Sequence, residues 1–227
     1  MLSRLTFAAL AVAAAAASSA LAGQGTIGSV SVVLPPPGGF CDLTESDPSD
    51  KRMITTLTDL LDKSGNKFLG MSADCRQLAD WHARKRPLLD DYAQYQTPIS
   101  TLDTAPTETV AQTCATLRAE GEKILANQLP DIKARVESTL KQIKMNETNF
   151  LGVLAEEPAA CYAALIQKIR TEAGTDKTQV TMFAVTIIKD RSVFVYRFAV
   201  YANANSVNDV LAKIKVDVAA VIAANRN

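Results

Sequence analysis

The sequence predicts an α+β fold in which a mainly antiparallel β-sheet packs against α-helices, with a long helical segment near residues 107–144. Three observations predict this fold. Two β-rich runs near the C-terminus, QVTMFAVTII and VFVYRFAVYA, are separated by a short polar turn. Apolar residues recur at helical spacing from Thr107 onward and again after Ser206. Strands and helices segregate without repeated βαβ units, which favours an antiparallel over a parallel sheet.

Residues 1–22 have the features of a secretory signal peptide. Arg4 precedes an alanine-rich apolar run, and Ala20 and Ala22 are the small residues typical of a cleavage site. The run is too short and too alanine-rich for a membrane span, which needs roughly 20 strongly apolar residues. We therefore expect cleavage near Ala22-Gly23, a soluble periplasmic or secreted protein, and no membrane span in the mature chain.

Residues 23–227 are expected to form a single α+β domain, because no linker or internal repeat divides them. The run of residues 27–34 is β-branched and predicts a strand that PPPGG ends. Asp47-Pro48-Ser49 predicts the start of a helix that ends at Gly65-Asn66. KFLGMSA, which follows it, predicts a second strand.

The middle of the chain is predicted to be mainly helical. CRQLADWHARKRP, residues 75–87, predicts a helix that Pro87 ends, and residues 88–106 predict a strand and a loop. The helical segment 107–144 contains Pro130 and is either a helix pair or one kinked helix.

Four elements are predicted for the remainder. NFLGVLA predicts a strand, and Pro158 predicts the start of a helix that carries Cys161, Leu165 and Ile169. The two β-rich runs then form a hairpin through residues 189–192. The last helix begins near Ser206 and presents one apolar stripe.

Four cysteines, an even number, lie in the expected mature chain: Cys41, Cys75, Cys114 and Cys161. In an exported protein this favours two disulfides, with three pairings open. A structural zinc site needs clustered ligands, and these cysteines lie far apart in a chain with one histidine. The sequence therefore predicts disulfides and no metal site.

Several function classes are disfavoured by composition and motifs. Lys and Arg total 24 and Asp and Glu total 24, so no net charge attracts nucleic acid. GQGTIG matches a dinucleotide-binding pattern but lacks the preceding strand and following helix, so a flexible N-terminus is expected there. No serine-nucleophile elbow accompanies the single histidine. We predict no cofactor and no catalytic residue.

An acidic run, Asp42 to Asp50, allows two interpretations. It could bind calcium, but Asp47 and Met53 then fall where an EF-hand loop needs glycine and glutamate. Alternatively, its Asp and Ser residues favour the start of the following helix. We prefer the second interpretation.

The candidate binding residues lie in the predicted helix 75–87 and are Trp81, His82, Arg84, Lys85 and Arg86. In one interpretation Trp81 stacks on a ligand while the three basic residues hold its anionic group. In the other, Trp81 and His82 face the core and the cations stabilise the helix C-terminus. The second interpretation is the simpler one.

VSVVLPPPGGF near the start and VTMFAVTIIKDRSVFVYRFAVY before the last helix give the chain a loose resemblance to the PsbP-like α/β/α sandwich. The resemblance covers about half of the mature chain, and neither the helical segment 107–144 nor the cysteines belong to it. It implies a non-catalytic binding or assembly protein. No functional residue is carried over.

The resulting expectation is a non-catalytic binding or envelope interaction module, whose partner is an envelope protein or a small molecule. Two alternatives stay open. One is a hydrolase-type enzyme with a site assembled around His82. The other is a small-molecule carrier with a pocket between the sheet and the helices of residues 107–144.

Overall fold

The structure is a computed structural model that describes residues 23–140, 143–171 and 174–226. The predicted signal peptide lies outside the described residues. The α+β prediction is confirmed, since a seven-stranded antiparallel sheet packs against four helices and a separate two-stranded hairpin. No helix in this part of the chain combines the length and apolar character that crossing a membrane requires.

The strands of the hairpin are β1 (Gly23–Ile27) and β2 (Val30–Leu34). The sheet has the order β3-β4-β5-β9-β8-β7-β6. Its strands are β3 (Phe40–Asp42), β4 (Asn66–Asp74), β5 (Tyr92–Pro98), β6 (Ile143–Glu157), β7 (Ala160–Thr171), β8 (Asp176–Ile188) and β9 (Arg191–Val200). The helices are α1 (Pro48–Asp62), α2 (Cys75–His82), α3 (Val110–Thr139) and α4 (Ala204–Ala224).

The two faces of the sheet carry different layers. The main core lies beneath α4 and the hairpin and includes Tyr95 on β5. Met71 on β4 pairs with Gln94, the neighbour of Tyr95, so Met71 faces the opposite side. There it packs in a second apolar cluster beneath α1 and α2. The helix α3 covers the same face farther along, over β6 and β7.

The predicted strand 27–34 is instead a hairpin that begins at Gly23, so the expected flexible N-terminus is also wrong. Gly28 lies at the turn with φ +56°. A β-carbon there would lie 2.4 Å from the carbonyl oxygen of Leu102. Glycine permits both the backbone conformation and this close approach.

The predicted helix after Pro158 is wrong, because residues 160–171 form β7, an inner strand of the sheet. Cys161, Leu165 and Ile169 recur every four residues, and this interval places residues on one face of a helix or of a strand. The neighbouring Tyr162 and Ala164 are buried against the opposite layer. A strand that is apolar on both faces hides the alternation that would distinguish it from a helix.

The long helical segment is confirmed as one continuous helix, α3, that contains Pro130. Thr109 caps it through a reciprocal capping box with Gln112. The prediction extended the segment too far, since Ile143 and Lys144 belong to β6. Ile143 continued the apolar spacing of the helix, which explains the error.

The C-terminal hairpin and helix are confirmed, with small shifts of their bounds. Strands β8 and β9 are joined by two residues, Lys189 and Asp190, both with positive φ as in a type I′ turn. Helix α4 begins earlier than predicted, because Asn203 forms its N-cap and Ser206 the third position. Its predicted apolar stripe packs into the main core.

The cysteines form two pairs at disulfide distance. Cys41 on β3 lies 2.01 Å (S–S) from Cys75 at the start of α2. Cys114 on α3 lies 2.04 Å from Cys161 on β7. In the first pair Cys41 is exposed and Cys75 is half-buried, whereas both residues of the second pair are 0% exposed.

This difference in exposure predicts the order in which the disulfides open. The unreduced protein should contain no titratable thiol, and limiting reductant should open Cys41–Cys75 first, because thiol exchange needs access to a sulfur atom. Differential alkylation followed by mass spectrometry of the peptides measures the number of free thiols and the order in which the two disulfides open. Earlier alkylation of Cys114 and Cys161 would contradict the prediction.

Candidate functional site

The start of α2 is fixed by its own side chains and by a disulfide. Asp74 is the N-cap, and its Oδ1 accepts hydrogen bonds from the Arg76 amide (3.1 Å) and the Gln77 amide (3.0 Å). Cys75 ties the first turn to β3. Leu78 is buried in the second apolar cluster and orients the helix. These contacts set the direction in which the other end of α2 points.

The end of α2 is a Schellman motif with arginine where glycine is usual. The Arg84 amide donates to the Trp81 carbonyl (3.0 Å), and the Lys85 amide donates to the Asp80 carbonyl (2.8 Å). Arg84 has φ +57°, in the left-handed region. Its β-carbon crowds the backbone there, which costs about 1–2 kcal/mol relative to the right-handed form.

An open cleft of about 350 Å³ lies between this helix end and the first turn of α1. We call it the basic cleft. It is lined by Ser49, Arg52, Trp81, Arg84, Lys85, Arg86 and Pro87. Four of the five candidate binding residues therefore line one cavity, and His82 lies beside it.

The basic side chains of the cleft differ in how far their charge is compensated. Arg86 pairs with Asp90 and also donates to the Leu88 carbonyl (2.8 Å). Lys85 lies 3.9 Å from the exposed carboxylate of Asp80, a weak surface contact. Within the described ranges, neither Arg52 nor Arg84 forms an ion pair.

Trp81 is half-buried and has two environments. Its ring packs against the second apolar cluster and also lines the cleft. The His82 ring is tilted next to it, with ring centroids 5.6 Å apart. Trp81 therefore contacts the core on one side, as the capping interpretation predicts, and the binding interpretation stays a prediction.

His82 is held by a buried carboxylate from α1. Its Nε2 lies 2.6 Å from Oδ1 of Asp50, which is 2% exposed. The other oxygen of Asp50 accepts a hydrogen bond from the Thr44 amide at 3.0 Å. This contact joins the end of α2 to the first turn of α1, the two segments that form the cleft.

Asp47 completes the junction as the N-cap of α1. Its Oδ1 accepts hydrogen bonds from the amides of Ser49 (2.7 Å) and Asp50 (3.2 Å), which favours the helix-start interpretation of the acidic run. The Ser49 hydrogen bond is the main reason that the pKa of Asp47 lies below its usual value, and nearby His82 lowers it further. Burial opposes both effects.

Asp47, Asp50 and His82 are the residues that could hold a metal ion in the part of the chain described, since one ligand atom from each lies within 4.8 Å of the others. Asp50 and His82 are already bonded to each other, and Asp47 already caps α1. The arrangement therefore serves to position two helix ends. The sequence predicted no metal site, and that stays a prediction.

Sequence reasoning missed Ser49, Arg52 and the role of Asp50. Ser49 and Arg52 lie three residues apart on α1, so the sequence spacing alone could have predicted that they share one face of the helix. Only the packing of α1 against α2 shows that this face meets Arg84.

No protein-family model and no curated protein sequence matches this chain. Among solved structures, the chain is similar to the Ran-binding protein Mog1p of Saccharomyces cerevisiae, with 11% identity and a TM-score of 0.30. The match covers 79% of this chain and 77% of Mog1p. A likeness this low carries no argument about function, and the PsbP-like resemblance stays a prediction.

Replacing Arg84 by glycine should raise the free energy of unfolding by about 0.5–1 kcal/mol, because glycine removes the β-carbon strain but leaves a more flexible unfolded chain. Arg84→Ala keeps the β-carbon and should bring no such gain. Urea unfolding of both variants measures the difference. Equal stability of the glycine and alanine variants would contradict the assignment of strain.

Replacing Asp50 by alanine should lower the free energy of unfolding by about 2–3 kcal/mol, because the Thr44 amide and the His82 ring lose a buried charged acceptor. Asp59→Ala, at an exposed position of the same helix, is the control and should change it by less than about 0.5 kcal/mol. The same urea measurement applies. A small effect at Asp50 would mean that the junction contributes little.

Proposed function

We propose that the protein is an exported, non-catalytic binding module whose basic cleft takes a small anionic ligand. The observation that carries the proposal is that Arg52, Arg84 and Lys85 line the same cleft as Trp81. Among the described residues Arg84 forms no ion pair, Lys85 has only a weak contact with Asp80, and Arg52 lies near the carboxylate of Asp47 without an ion pair to it, in a chain that has no net charge. Local concentration of positive charge favours an anionic partner.

The chemistry of the lining favours a planar ring that bears a carboxylate or phosphate. The guanidinium groups of Arg52 and Arg84 can each bind such a group with two parallel hydrogen bonds. The indole of Trp81 offers an apolar surface on which a ring can stack. A volume of about 350 Å³ lies at the small end of the range for ligand pockets.

The conformation of Arg84 supports the same proposal. A left-handed arginine at a helix end is strained, and such strain is concentrated at functional sites. Glycine would finish the helix with less strain but would supply no charge. The strained arginine is accounted for if its guanidinium binds a ligand.

Export to the periplasm or beyond is part of the proposal. It is supported by the signal-peptide pattern of residues 1–22 and by the two cysteine pairs at disulfide distance, which persist in oxidising compartments.

The alternatives remain less supported. In the described residues Asp50 is the hydrogen-bond partner of His82, and no serine or cysteine is bonded to the ring as a nucleophile would be. The cleft lies between α1 and α2, whereas a carrier pocket was expected beside α3. An envelope protein that presents an acidic side chain is the partner that remains if small anions do not bind.

Trp81 is the only tryptophan, so intrinsic fluorescence reports on the cleft directly. Phenyl phosphate should change the emission saturably, and it should bind more tightly than inorganic phosphate, which cannot stack. Affinity should fall as salt is raised, because the contacts are charged. Arg84→Gly should weaken binding about tenfold or more, as expected for a lost charge-assisted pair.

Arg76→Gln is the matched control, since Arg76 lies at the opposite end of α2 with its side chain 94% exposed. It removes the same charge far from the cleft and should leave the affinity unchanged. Absence of saturable binding by phenyl phosphate and by benzoate would overturn the proposal. If the substitutions at Arg76 and Arg84 weakened binding equally, the binding would be nonspecific charge attraction and the proposed site would be wrong.

A further inference from the structure

Asp42 is a carboxylate without a counter-ion. It ends β3, is half-buried, and has neither a hydrogen-bond partner nor an ion pair among the residues that are described. Burial raises the pKa of its carboxyl from 3.8 to about 6. A carboxylate in this position destabilises the folded chain at neutral pH unless a cation binds it.

A second polar group beside Asp42 also lacks a partner. Ser72 on β4 is directly opposite Asp42 in the antiparallel register, so both side chains lie on the same face of the sheet. Ser72 is 0% exposed, and its Oγ has no hydrogen-bond partner within residues 23–140, 143–171 and 174–226. The strand β1 packs against β4 on this face of the sheet.

Gly23, the first residue of β1, lies next to the Asp42 carboxylate. A β-carbon built on Gly23 would lie 3.5 Å from Oδ2 of Asp42 and 3.0 Å from the Leu34 carbonyl oxygen. The Gly23 nitrogen is about 2.5 Å from that β-carbon position, so it lies within about 6 Å of the carboxylate. An ion pair between the two groups requires a rotation of Gly23 at the end of β1, where it is paired with Leu34.

We propose that cleavage after Ala22 creates a Gly23 α-ammonium group that binds the Asp42 carboxylate, so that removal of the signal peptide supplies the missing counter-ion. The proposal rests on the proposed export of the chain. Water hydrolyses the Ala22–Gly23 peptide bond, which leaves a carboxylate on Ala22 and an amine on Gly23. The amine takes up a proton at neutral pH and then has three N–H donors in place of one.

The other ionisable groups on this side do not replace the ammonium. Arg197 is the nearby cation, and it is bound to Asp91 (3.2 Å) and to Asp217 (2.9 Å). The Tyr95 hydroxyl donates to the Pro35 carbonyl at 2.7 Å. Burial is the cause of the raised pKa of Asp42, and no neighbouring cation lowers it.

The two forms of the chain should therefore differ in pH dependence. While the peptide bond is intact, Asp42 has a higher pKa in the folded than in the unfolded chain, so stability falls as the pH rises from about 4 through 6. Once the ammonium is present, the pKa of Asp42 falls and that of the amine rises. The ion pair then stabilises the fold until the pH exceeds the raised pKa of the amine.

The test compares a chain that begins at Gly23, prepared by cleavage of a fusion in vitro, with the same chain extended by Ala22. NMR titration of a 15N-glycine-labelled sample measures the pKa of the Gly23 amine. We expect a proton dissociation constant at least tenfold below that of an ordinary α-amine, whose pKa is about 8. Asp42→Asn should restore the ordinary value, and Asp59→Asn, at an exposed position, should not.

Thermal unfolding at pH 7 gives the second readout. The chain that begins at Gly23 should melt several degrees higher than the Ala22-extended chain, and Asp42→Asn should remove this difference. The proposal is overturned if the pKa of the Gly23 amine is the same with Asp42 and with Asn at this position. It is also overturned if the two chains have the same melting temperature. An N-terminus other than Gly23 in the exported protein, determined by mass spectrometry, overturns it too.

Ligand binding is measured separately on the same proteins through Trp81. The basic cleft lies on the opposite face of the sheet from Gly23 and Asp42. If no anion binds but the pKa of the Gly23 amine is raised, only the proposed binding role is refuted. If anions bind but the pKa of the Gly23 amine has its usual value, only the proposed ion pair between Gly23 and Asp42 is refuted.

Discussion

The buried guanidinium of Arg197 is the contact on which the architecture depends. It lies on β9, 4% exposed, and binds Asp217 of α4 and Asp91 just before β5. It also lies 4.1 Å above the ring of Phe40 on β3. Burial raises the pKa of Asp217, and the charge of Arg197 opposes that rise. Because removing one partner of such a group leaves a buried charge uncompensated, these four segments are fixed together.

The same contact explains how the sheet is assembled from two parts of the chain. Strands β3 to β5 come from the N-terminal half, and β6 to β9 from the C-terminal half. The pairing of β5 with β9 joins them, with Tyr92 opposite Phe198 and their rings stacked at 4.3 Å. Arg197 lies within this pairing, opposite Ala93. The junction between the halves is therefore both paired and cross-linked by charge.

The basic cleft takes its rigidity from this junction. Asp91 follows the loop that contains Arg84 and Arg86, and the Gln77 side chain accepts hydrogen bonds from the amides of Asp90 (2.9 Å) and Asp91 (3.2 Å). Asp90 also pairs with Arg86 and with Lys177 of β8. The loop is thus held at both ends by the sheet and the helix. A ligand at the cleft would therefore meet a loop whose backbone is positioned before binding, although the side chains of Arg84 and Lys85 are exposed.

Local patterns in the sequence were sufficient for elements whose residues decide their own structure. The C-terminal hairpin, α3 and the apolar stripe of α4 follow from alternation, helical spacing and polar turns. The helix predicted after Pro158 failed because an interval of four residues fits strand and helix alike. The candidate site was predicted in part, since Trp81 and Arg84 were identified as candidate binding residues from the sequence. Asp50 and Arg52 join them only through packing of α1 on α2.

The candidate binding cleft and Asp42 lie on opposite faces of the sheet. The cleft face contains Arg84 in a strained conformation, which lowers stability where charge is needed. The opposite face contains Asp42 and Ser72, polar groups that have no side-chain hydrogen-bond partner in the described part of the chain and lie beside the first residue of β1. Under the proposed cleavage, the two forms of the chain differ only at Asp42, which gains the Gly23 ammonium group as a counter-ion. This ion pair would lie on the face opposite the cleft, so stability can rise without altering the residues that line the cleft.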